Sequence, residues 1–378
     1  MKRFFVLILT LLFSAPLYAQ KTIIPRFIRR ILFEKDSSRR GSFIVLPALT
    51  SAPETGLEFG GSFLYSFYTD TVNRKTNVSS LFGYATATTK GQNRMSIGSS
   101  YWTPSNNFHY SANVSFINFP SDFYGIGNNT LLIDKDHVDE KRFKLAFDGE
   151  RKLGKYVYLG FVAGELNYRY HDKEPLGIFT TETDIEERFG GNEIYAGPSF
   201  LFDSRDRNTY ATRGIIITSY MNIMHGLFAN NDYKGAFFNL EYSQFFPLSK
   251  KFVLGVDVQT QNLLGGSSPF YLMPTLGNDE IMRGYYNGRY RDRNLLVGQT
   301  ELRYRISDRL GLAGFVGTGE VYHNSFSFAQ LKPNYGGGVR YFFDVEKGLA
   351  MRIDYGIGQK VPGEPRQSGL YLSLGQSF

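Results

Sequence analysis

Apolar and polar residues alternate along most of this chain, and that period of two limits the folds open to it. In residues 252–263, every second residue from Phe252 to Val258 is apolar, and Asp257 lies on the opposite face. Residues 351–357 repeat the pattern, with Arg352 and Asp354 on the polar face. Successive side chains of a β-strand point to opposite faces, so this period predicts strands. We therefore expect an all-β chain.

Two all-β architectures fit this pattern. In a soluble sandwich, the apolar faces of two sheets pack together and the charged faces meet water. In a transmembrane barrel, the apolar face meets lipid and the polar face lines the lumen. A composition with 16% aromatic residues and 40 Gly is unusual for soluble domains, and 42% apolar residues exclude disorder. No run of 18 uncharged apolar residues occurs, which excludes a bundle of membrane helices.

The lengths of the connections favour an antiparallel transmembrane β-barrel. The pattern predicts sixteen strands, an even number as in bacterial single-chain barrels. In chain order, the four longest connections are the fifth, seventh, eleventh and thirteenth, which lie on one side of an up-and-down barrel. Long surface loops opposite short periplasmic turns are typical of outer-membrane barrels. The predicted strands are residues 42–50, 57–68, 76–88, 93–102, 108–117, 142–152, 156–168, 193–202, 214–224, 233–246, 252–263, 295–306, 311–322, 335–343, 349–357 and 368–378.

Residues 1–19 have the pattern of a secretory signal peptide. Lys2 and Arg3 precede an apolar stretch at residues 4–13, and Ala19 ends a plausible cleavage site. A membrane anchor would need about 20 apolar residues, so this stretch is too short for one. We expect export with cleavage near Ala19 and, together with the barrel pattern, a place in the outer membrane of a Gram-negative bacterium.

Residues 20–41 form a short segment before the barrel, which takes residues 42–378. Within this segment, residues 23–35 are predicted to form an amphipathic helix, with Phe27 and Ile31 set against Arg26 and Arg30. Three interpretations stay open: a solvated tail, a helix on the inner leaflet, or a plug in the lumen. The segment is too short for an independent soluble domain.

A motif in the eleventh connection carries a family resemblance. Met282, Arg283, Gly284 and Tyr285 resemble the Val-Arg-Gly-Phe/Tyr motif in the sixth surface loop of the BamA/TamA outer-membrane assembly superfamily, also called the bacterial surface antigen barrel. The resemblance implies a long loop that folds back into the lumen. Further segments follow in the family's order, namely residues 201–207, 212–214, 298–304, 336–340, 351–355 and 375–378.

The resemblance also implies partners for the motif arginine. In the family, this arginine pairs with acids on strands twelve and thirteen, and Glu301 matches the first of them. The second position departs from the family's Phe-x-Asp-x-Gly, because Phe315, Gly317 and Gly319 occur here and the Asp is missing.

A buried arginine with a single acid would be poorly compensated, and an unpaired buried charge costs several kcal/mol. We therefore predict that Asp257 or Asp354, both on lumen-facing registers, supplies the second carboxylate. The alternative is that Arg283 lies in an exposed loop among other arginines.

The first and last strands meet at a seam, which is a lateral gate in the superfamily. Pro47 on the first strand removes one ladder hydrogen bond, and Gly369 and Gly375 lie on the last strand. We predict weak pairing at this seam. The alternative is that Pro47 simply begins its strand.

The last strand has the pattern of a barrel assembly signal. Leu370, Leu372 and Leu374 alternate toward the terminal Phe378. The resemblance implies that such a strand is recognised during insertion.

Catalytic, metal and nucleic-acid sites are not predicted. No recognisable motif places a serine beside any of the five His residues, and His171 with Asp172 is assigned to a loop. The acids around His137 lack the Gly and spacing of a calcium loop and are expected to be solvated at a loop tip; they are Asp134, Asp136, Asp139 and Glu140. The chain has no Cys, which excludes thiolate sites, and no basic patch for nucleic acid. We expect no enzyme activity and no cofactor.

The expected function is insertion or translocation of proteins, or of lipids, at the outer membrane. Members with this function normally carry periplasmic POTRA domains, for which this chain has no room, so separate periplasmic or outer-membrane partners are expected beside outer-membrane lipid and lipopolysaccharide. A passive pore or structural barrel is the alternative, and an outer-membrane hydrolase is the third candidate.

Overall fold

A computed structural model of the chain describes residues 39–52, 56–73, 75–173, 176–227 and 233–378. The predicted signal peptide and the predicted helix at residues 23–35 lie outside the described residues.

The described chain forms one antiparallel sheet of sixteen strands, in which each strand pairs with the next along the chain. The strands are β1 Ser42–Ala52, β2 Gly56–Phe67, β3 Ser79–Thr88, β4 Asn93–Trp102, β5 Phe108–Phe123, β6 Asp136–Lys152, β7 Val157–Asp172, β8 Asn192–Asp203, β9 Gly214–Gly226, β10 Lys234–Pro247, β11 Phe252–Gly265, β12 Asn294–Arg305, β13 Leu310–Tyr322, β14 Lys332–Asp344, β15 Leu349–Ile357 and β16 Ser368–Leu374. The predicted antiparallel barrel of sixteen strands is confirmed.

The two faces of the sheet differ in the way expected of a membrane barrel. On β12, Leu302 is 42% exposed, whereas its neighbours Glu301 and Arg303 are buried. Val316 on β13 and Ile353 on β15 are exposed in the same way. Apolar side chains thus face outward to lipid, and charged side chains face the lumen. Within the described residues, no helix is long and apolar enough to cross a membrane.

The connections differ from the prediction at two places. Strands β5 and β6 continue to Phe123 and Asp136, so the fifth connection shrinks to residues 124–135. The second connection, residues 68–78, is longer than the thirteenth, residues 323–331. The three longest connections are still odd-numbered, but the fourth is not. The polar stretch that begins β6 looked like a loop in sequence, yet its backbone pairs with β5 from Asp136 onward and with β7 from Val138 onward.

Residues 266–293, which we call the long loop, connect β11 to β12 and fold into the lumen. The loop contains a buried 3₁₀ turn, Phe270–Leu272, and two short paired strands, Thr275–Leu276 and Tyr290–Arg291. Its apolar side chains pack against the inner face of β12 and β13 in one cluster: Leu276, Ile281, Met282, Tyr285, Tyr290, Leu295, Val297 and Val321. A buried apolar core therefore lies inside the barrel, between this loop and the inner face of β12 and β13.

The last strand ends earlier than predicted. Strand β16 stops at Leu374, and Gly375 has a φ of +90°, which turns the chain away from the wall. The ring of Phe378 then lies 6.4 Å from that of Phe245, and Arg303 donates a hydrogen bond of 2.7 Å to the Phe378 carbonyl. Leu370 and Leu372 do face outward, being 69% and 65% exposed. The predicted alternation thus stops short of Phe378.

Candidate functional site

The guanidinium of Arg283 is buried completely and contacts two carboxylates. Its Nη1 lies 2.9 Å from Oε2 of Glu301 on β12 and 2.6 Å from Oδ2 of Asp354 on β15. All three side chains are fully buried. Two carboxylates therefore share one arginine nitrogen, which compensates a charge that would otherwise be costly inside the barrel.

The flat face of the same guanidinium lies on an aromatic ring. Its Cζ is 3.6 Å from the centroid of Phe315 on β13. Gly336 on β14 leaves the space for this ring, because a Cβ there would lie 2.5 Å from Phe315 Cζ. Stacking on a ring stabilises an arginine whose Nε and Nη2 have no hydrogen-bond partner among the described residues.

Three further arginines surround the same carboxylates. Arg303 Nε lies 2.8 Å from Glu301, and Arg340 lies 3.2 Å from Glu301 and also bonds Asp354. Arg352 bridges Asp354 at 3.1 Å and Asp279 of the long loop at 2.8 Å. We call this set the carboxylate–arginine network: Arg283, Arg303, Arg340, Arg352, Asp279, Glu301 and Asp354. It joins the long loop to β12, β14 and β15.

The backbone of the motif lies directly against β15. A Cβ on Gly284, whose φ is +109°, would lie 2.8 Å from backbone atoms of Ile357 and Gly358. A Cβ on Gly356 would lie 2.6 Å from the carbonyl carbon of Arg283. Met282 has a φ of +57°, a left-handed conformation that non-glycine residues rarely adopt. Glycine is therefore required on both sides of this contact, and the motif has one strained residue.

Gly317, where the family pattern has an acid, leaves space for two polar side chains. A Cβ at Gly317 would lie 2.6 Å from Asn334 and 2.9 Å from Gln299. Asn334 donates to the carbonyl of Arg283 at 2.8 Å, and Gln299 accepts from the N–H of Met282 at 3.1 Å. Similarly, a Cβ at Gly319 would lie 3.1 Å from Leu276 of the long loop.

The motif also bonds the last strand. The N–H of Gly284 donates to the hydroxyl of Tyr371 at 2.8 Å, and Ser373 donates to Asp279 at 2.6 Å. Tyr285 donates to the carbonyl of Pro333 on β14 at 2.5 Å. Strand β16 is one of the two ends of the sheet order, the other being β1. The long loop therefore holds an end strand of the sheet from inside.

The family model for the Omp85 superfamily domain matches residues 82–378 of this chain. The chain belongs to the Omp85 superfamily. Members of this superfamily are outer-membrane β-barrel proteins. The match covers the whole carboxylate–arginine network, the long loop and the last strand.

Solved structures of similar fold agree with this assignment. BamA from Haemophilus ducreyi lacking POTRA domains 1–3 has 12% identity and a TM-score of 0.54, over 89% of this chain and 70% of that one. CdiB from Acinetobacter baumannii has 11% identity and a TM-score of 0.54, over 89% and 60%. CdiB from Escherichia coli has 9% identity and a TM-score of 0.52, over 89% and 62%. At these identities the likeness shows the fold.

This Omp85 barrel spans less than two thirds of the length of either CdiB chain. Among proteins with curated functions, none matches the sequence.

The structure has two of the three predicted partners in contact with Arg283. Asp354 and Glu301 contact it, whereas Asp257 accepts a hydrogen bond of 2.8 Å from Ser243 and another of 3.3 Å from Gln259. Asp257 faces the lumen, as predicted, but it lies on β11. The guanidinium of Arg283 contacts side chains of β12, β13 and β15. Of the two carboxylates predicted for the second position, Asp354 is therefore the partner of Arg283 and Asp257 is not.

In the sheet order β1 and β16 are the two end strands, and the predicted weak pairing between them at the seam stays a prediction. Pro47 is in the interior of β1, pairs with Gly61 of β2 and is exposed, so it does not begin the strand. Its missing N–H is tolerated because β1 ends the sheet order. Gly369 pairs with Gly356 of β15, and Gly375 lies beyond the end of β16.

Ion pairs occupy His137 and two of the acids around it. His137 lies 2.6 Å from Asp122, Asp139 lies 2.8 Å from Lys173, and Glu140 lies 3.4 Å from Arg142. Most of these acids lie on β6 rather than at a loop tip, and His171 and Asp172 end β7 rather than lying in a loop, so both predictions were wrong. No group of potential ligands that could hold a metal is found among the described residues.

Several residues of this site were not predicted to belong to it, although Arg352 was placed on the polar face of its strand. Arg303, Arg340 and Arg352 lie on the same inward registers as Glu301 and Asp354, so the period of two could have found them. The outward Leu370 and Leu372 likewise place Tyr371 inward. Asp279 carries no such signal, because it lies in a loop.

Proposed function

We propose that this Omp85 barrel inserts or translocates proteins, or lipids, at the outer membrane, together with separate periplasmic or outer-membrane partners. In this proposal the barrel acts by guiding its client along the seam between β1 and β16. The role is not catalytic.

The contacts of the long loop with β16 carry this proposal. Tyr371 and Ser373 are bonded to the loop, and Arg283 of the same loop is bonded to Glu301 and Asp354 on the wall. The stretch 279–284 of the loop is thus fixed to a well-buried network and, through Asp279 and Gly284, also holds an end strand. This arrangement supports a loop that keeps β16 in place at rest and releases it when a client arrives.

The polar bonds at β16 are few enough to be released. Strand β16 is the shortest of the sixteen, and three side-chain hydrogen bonds join it to the loop. Tyr371 accepts from Gly284 and donates to the carbonyl of Tyr285 at 3.4 Å, and Ser373 donates to the carboxylate of Asp279. A typical hydrogen bond adds about 0.5 to 1.5 kcal/mol to stability, so a client strand that pairs with β16 could replace them. The network around Arg283 has many more charged contacts and would stay in place.

Depletion of the protein tests this function. We expect selective loss of other barrels from the outer-membrane proteome, or loss of surface lipid asymmetry if the client is a lipid. Complementation with Arg283→Ala should restore less than the wild-type gene does. An unchanged membrane after depletion would contradict an assembly role and would favour a passive pore, which steady conductance in planar bilayers would then reveal.

A further inference from the structure

A polar cavity of about 370 Å³ lies inside the barrel, away from the carboxylate–arginine network. It is bounded on one side by the long loop and on the other by the inner faces of β5 to β11. We call it the tyrosine chamber, and the residues that matter here are Arg142, Lys144, Tyr168, Tyr170, Asn222 and Arg291. Its volume is within the range of small-molecule sites, about 300 to 1,000 Å³.

The chamber has more positive charge than its own carboxylates compensate. The side chain of Lys144 is exposed to the chamber, and its ammonium has no ion pair or hydrogen bond with any residue that the structure describes. The guanidinium of Arg291 donates to the carbonyls of Gly288 and Phe270 and forms no ion pair with a carboxylate among the described residues. Arg142 has one carboxylate, Glu140, at 3.4 Å.

The other acid in the chamber wall is already occupied. Asp122 lies 2.6 Å from His137 and 3.5 Å from Lys135, and it accepts a hydrogen bond from Tyr124 at 3.3 Å. Three cations therefore face one available carboxylate, which attracts an anion.

Two buried polar atoms in the chamber wall have no hydrogen-bond partner in the part of the chain that the structure describes. They are Nε of Arg142, a donor, and Oδ1 of Asn222, an acceptor. Buried polar groups in proteins are nearly always bonded, so a donor and an acceptor left open on one cavity indicate a ligand with both kinds of group. A simple inorganic anion would satisfy only the donor.

Aromatic rings supply a flat wall beside these groups. The rings of Tyr168 and Tyr170 are nearly parallel, with an interplanar angle of 7° and centroids 6.2 Å apart. Tyr271 of the long loop lies 5.0 Å from Tyr168. Tyrosine presents an apolar face with a polar edge, which matches the carbon face and hydroxyl edge of a sugar ring.

We propose that the tyrosine chamber binds an anionic saccharide of the size of a phosphorylated hexose. Lys144, Arg142 and Arg291 bind the phosphate, Asn222 bonds a sugar hydroxyl, and the rings of Tyr168 and Tyr170 contact the sugar. Such a saccharide could be free or could be the phosphorylated sugar headgroup of a membrane lipid, because the chamber recognises the chemistry that both share.

Equilibrium dialysis with radiolabelled glucose 6-phosphate tests the site on the full chain in detergent. We expect glucose 6-phosphate to bind at least about tenfold more tightly than inorganic phosphate or glucose. Lys144→Gln should weaken its binding about tenfold. Asn222→Leu should weaken the binding of glucose 6-phosphate and leave the binding of inorganic phosphate unchanged.

Lys141→Gln is the matched control, because Lys141 is exposed on the opposite face of the same strand. Equal weakening by Lys141→Gln and Lys144→Gln would overturn the proposal. So would phosphate binding as tightly as glucose 6-phosphate, or an acidic peptide displacing the sugar at equal charge.

Vesicles identify the source of the saccharide once the site is established. Displacement of glucose 6-phosphate by vesicles that contain lipopolysaccharide, but not by phosphatidylcholine vesicles, would assign a lipid headgroup. Failure of both to displace it would assign a free saccharide, and either result keeps the site.

Discussion

Arg283 shares its two acids with other arginines, so the acids matter more than the arginine does. Glu301 contacts Arg283, Arg303 and Arg340 and is completely buried. Removing Arg283 leaves Glu301 with two cations, whereas neutralising Glu301 leaves three buried guanidiniums with fewer carboxylates. Uncompensated buried charge is among the largest sources of mutational destabilisation.

Glu301→Gln should therefore lower the free energy of unfolding by about 3 to 5 kcal/mol, and more than Arg283→Ala does. Denaturant titration of the barrel in lipid vesicles measures both. Glu58→Gln is the control, because Glu58 is buried in the lumen but pairs with one half-exposed arginine, Arg94, at 2.8 Å. We expect a cost of about 1 kcal/mol there. Equal costs at the two glutamates would contradict the shared-acid interpretation.

Gly284→Ala should displace the motif from β15. The new Cβ would lie 2.8 Å from backbone atoms of Ile357 and Gly358. Backbone atoms cannot move aside as the end of a flexible side chain can. Gly363→Ala is the control, because Gly363 also has a positive φ, +81°, but a Cβ there meets nothing within 4 Å. We expect faster proteolysis of the long loop in Gly284→Ala only, since both variants share the strain of a positive φ. Equal protease sensitivity would show that the approach to β15 is unimportant.

At the scale of elements, the long loop connects regions that the sheet alone would leave separate. It contacts β12 to β15 through the carboxylate–arginine network and β16 through Tyr371 and Ser373. At its other end, Phe270 packs on Phe123 of β5, with ring centroids 5.5 Å apart. Strand β16 is an end strand of the sheet order, so the contacts of the loop with Tyr371 and Ser373 should protect it from local opening.

Tyr371→Phe should speed hydrogen exchange in β16. The substitution removes the hydroxyl that accepts from Gly284, and the loss of about 1 kcal/mol corresponds to roughly fivefold faster exchange by local opening. Tyr335→Phe is the control, because Tyr335 is 49% exposed and faces outward on β14. Unchanged exchange in β16 of Tyr371→Phe would mean that the loop does not stabilise this strand.

Glu364 joins three surface connections and makes their packing depend on pH. It accepts hydrogen bonds from Leu132 N–H at 2.7 Å and from Arg289 of the long loop at 2.6 Å. Burial alone would raise the pKa of Glu364, but these two donors outweigh burial and hold the pKa below its ordinary value of 4.5. The stabilisation is therefore complete above about pH 4.5 and is lost as the pH falls through the lower, folded-state pKa.

Proteolysis of the surface connections at pH 3 and at pH 7 measures this dependence. We expect the wild type to be cleaved faster near residue 132 at pH 3 than at pH 7. The experiment uses an acid-stable protease, and a denatured reference protein corrects for protease activity at each pH. The Glu364→Gln variant should be cleaved at pH 7 as fast as the wild type is at pH 3. A variant that keeps the wild-type difference between the two pH values would exclude Glu364 as its source.

At the scale of the whole molecule, the period of two made the barrel predictable. Each inward residue has a fixed parity along its strand, and pairing carries that parity to the next strand. This explains why Asp354 could be named as a partner of the motif arginine from sequence. The sixteen strands were predicted from the same period of two. The inward fold of the long loop was predicted from the family motif.

Parity does not say how far apart two inward residues are around the barrel. Asp257 has the right parity but lies on β11, and its carboxylate bonds Ser243 instead. Strand ends were also unpredictable, because pairing with a neighbour, and not local composition, extends β6 through a polar stretch and ends β16 at Leu374. The inward turn of Phe378 depends on a contact with Phe245 that no local pattern shows.

A reversible lock between the long loop and β16 tests the central claim most directly. The chain has no Cys, so Asp279→Cys with Ser373→Cys would introduce the sole pair, at side chains that now meet at 2.6 Å. Outer-membrane proteomes of depleted cells carrying this variant would be compared with and without reductant, with each single substitution as a control. We expect barrel or lipid assembly to fail in the oxidised double variant and to recover on reduction. Full assembly with the disulfide formed would contradict a loop that must release the last strand.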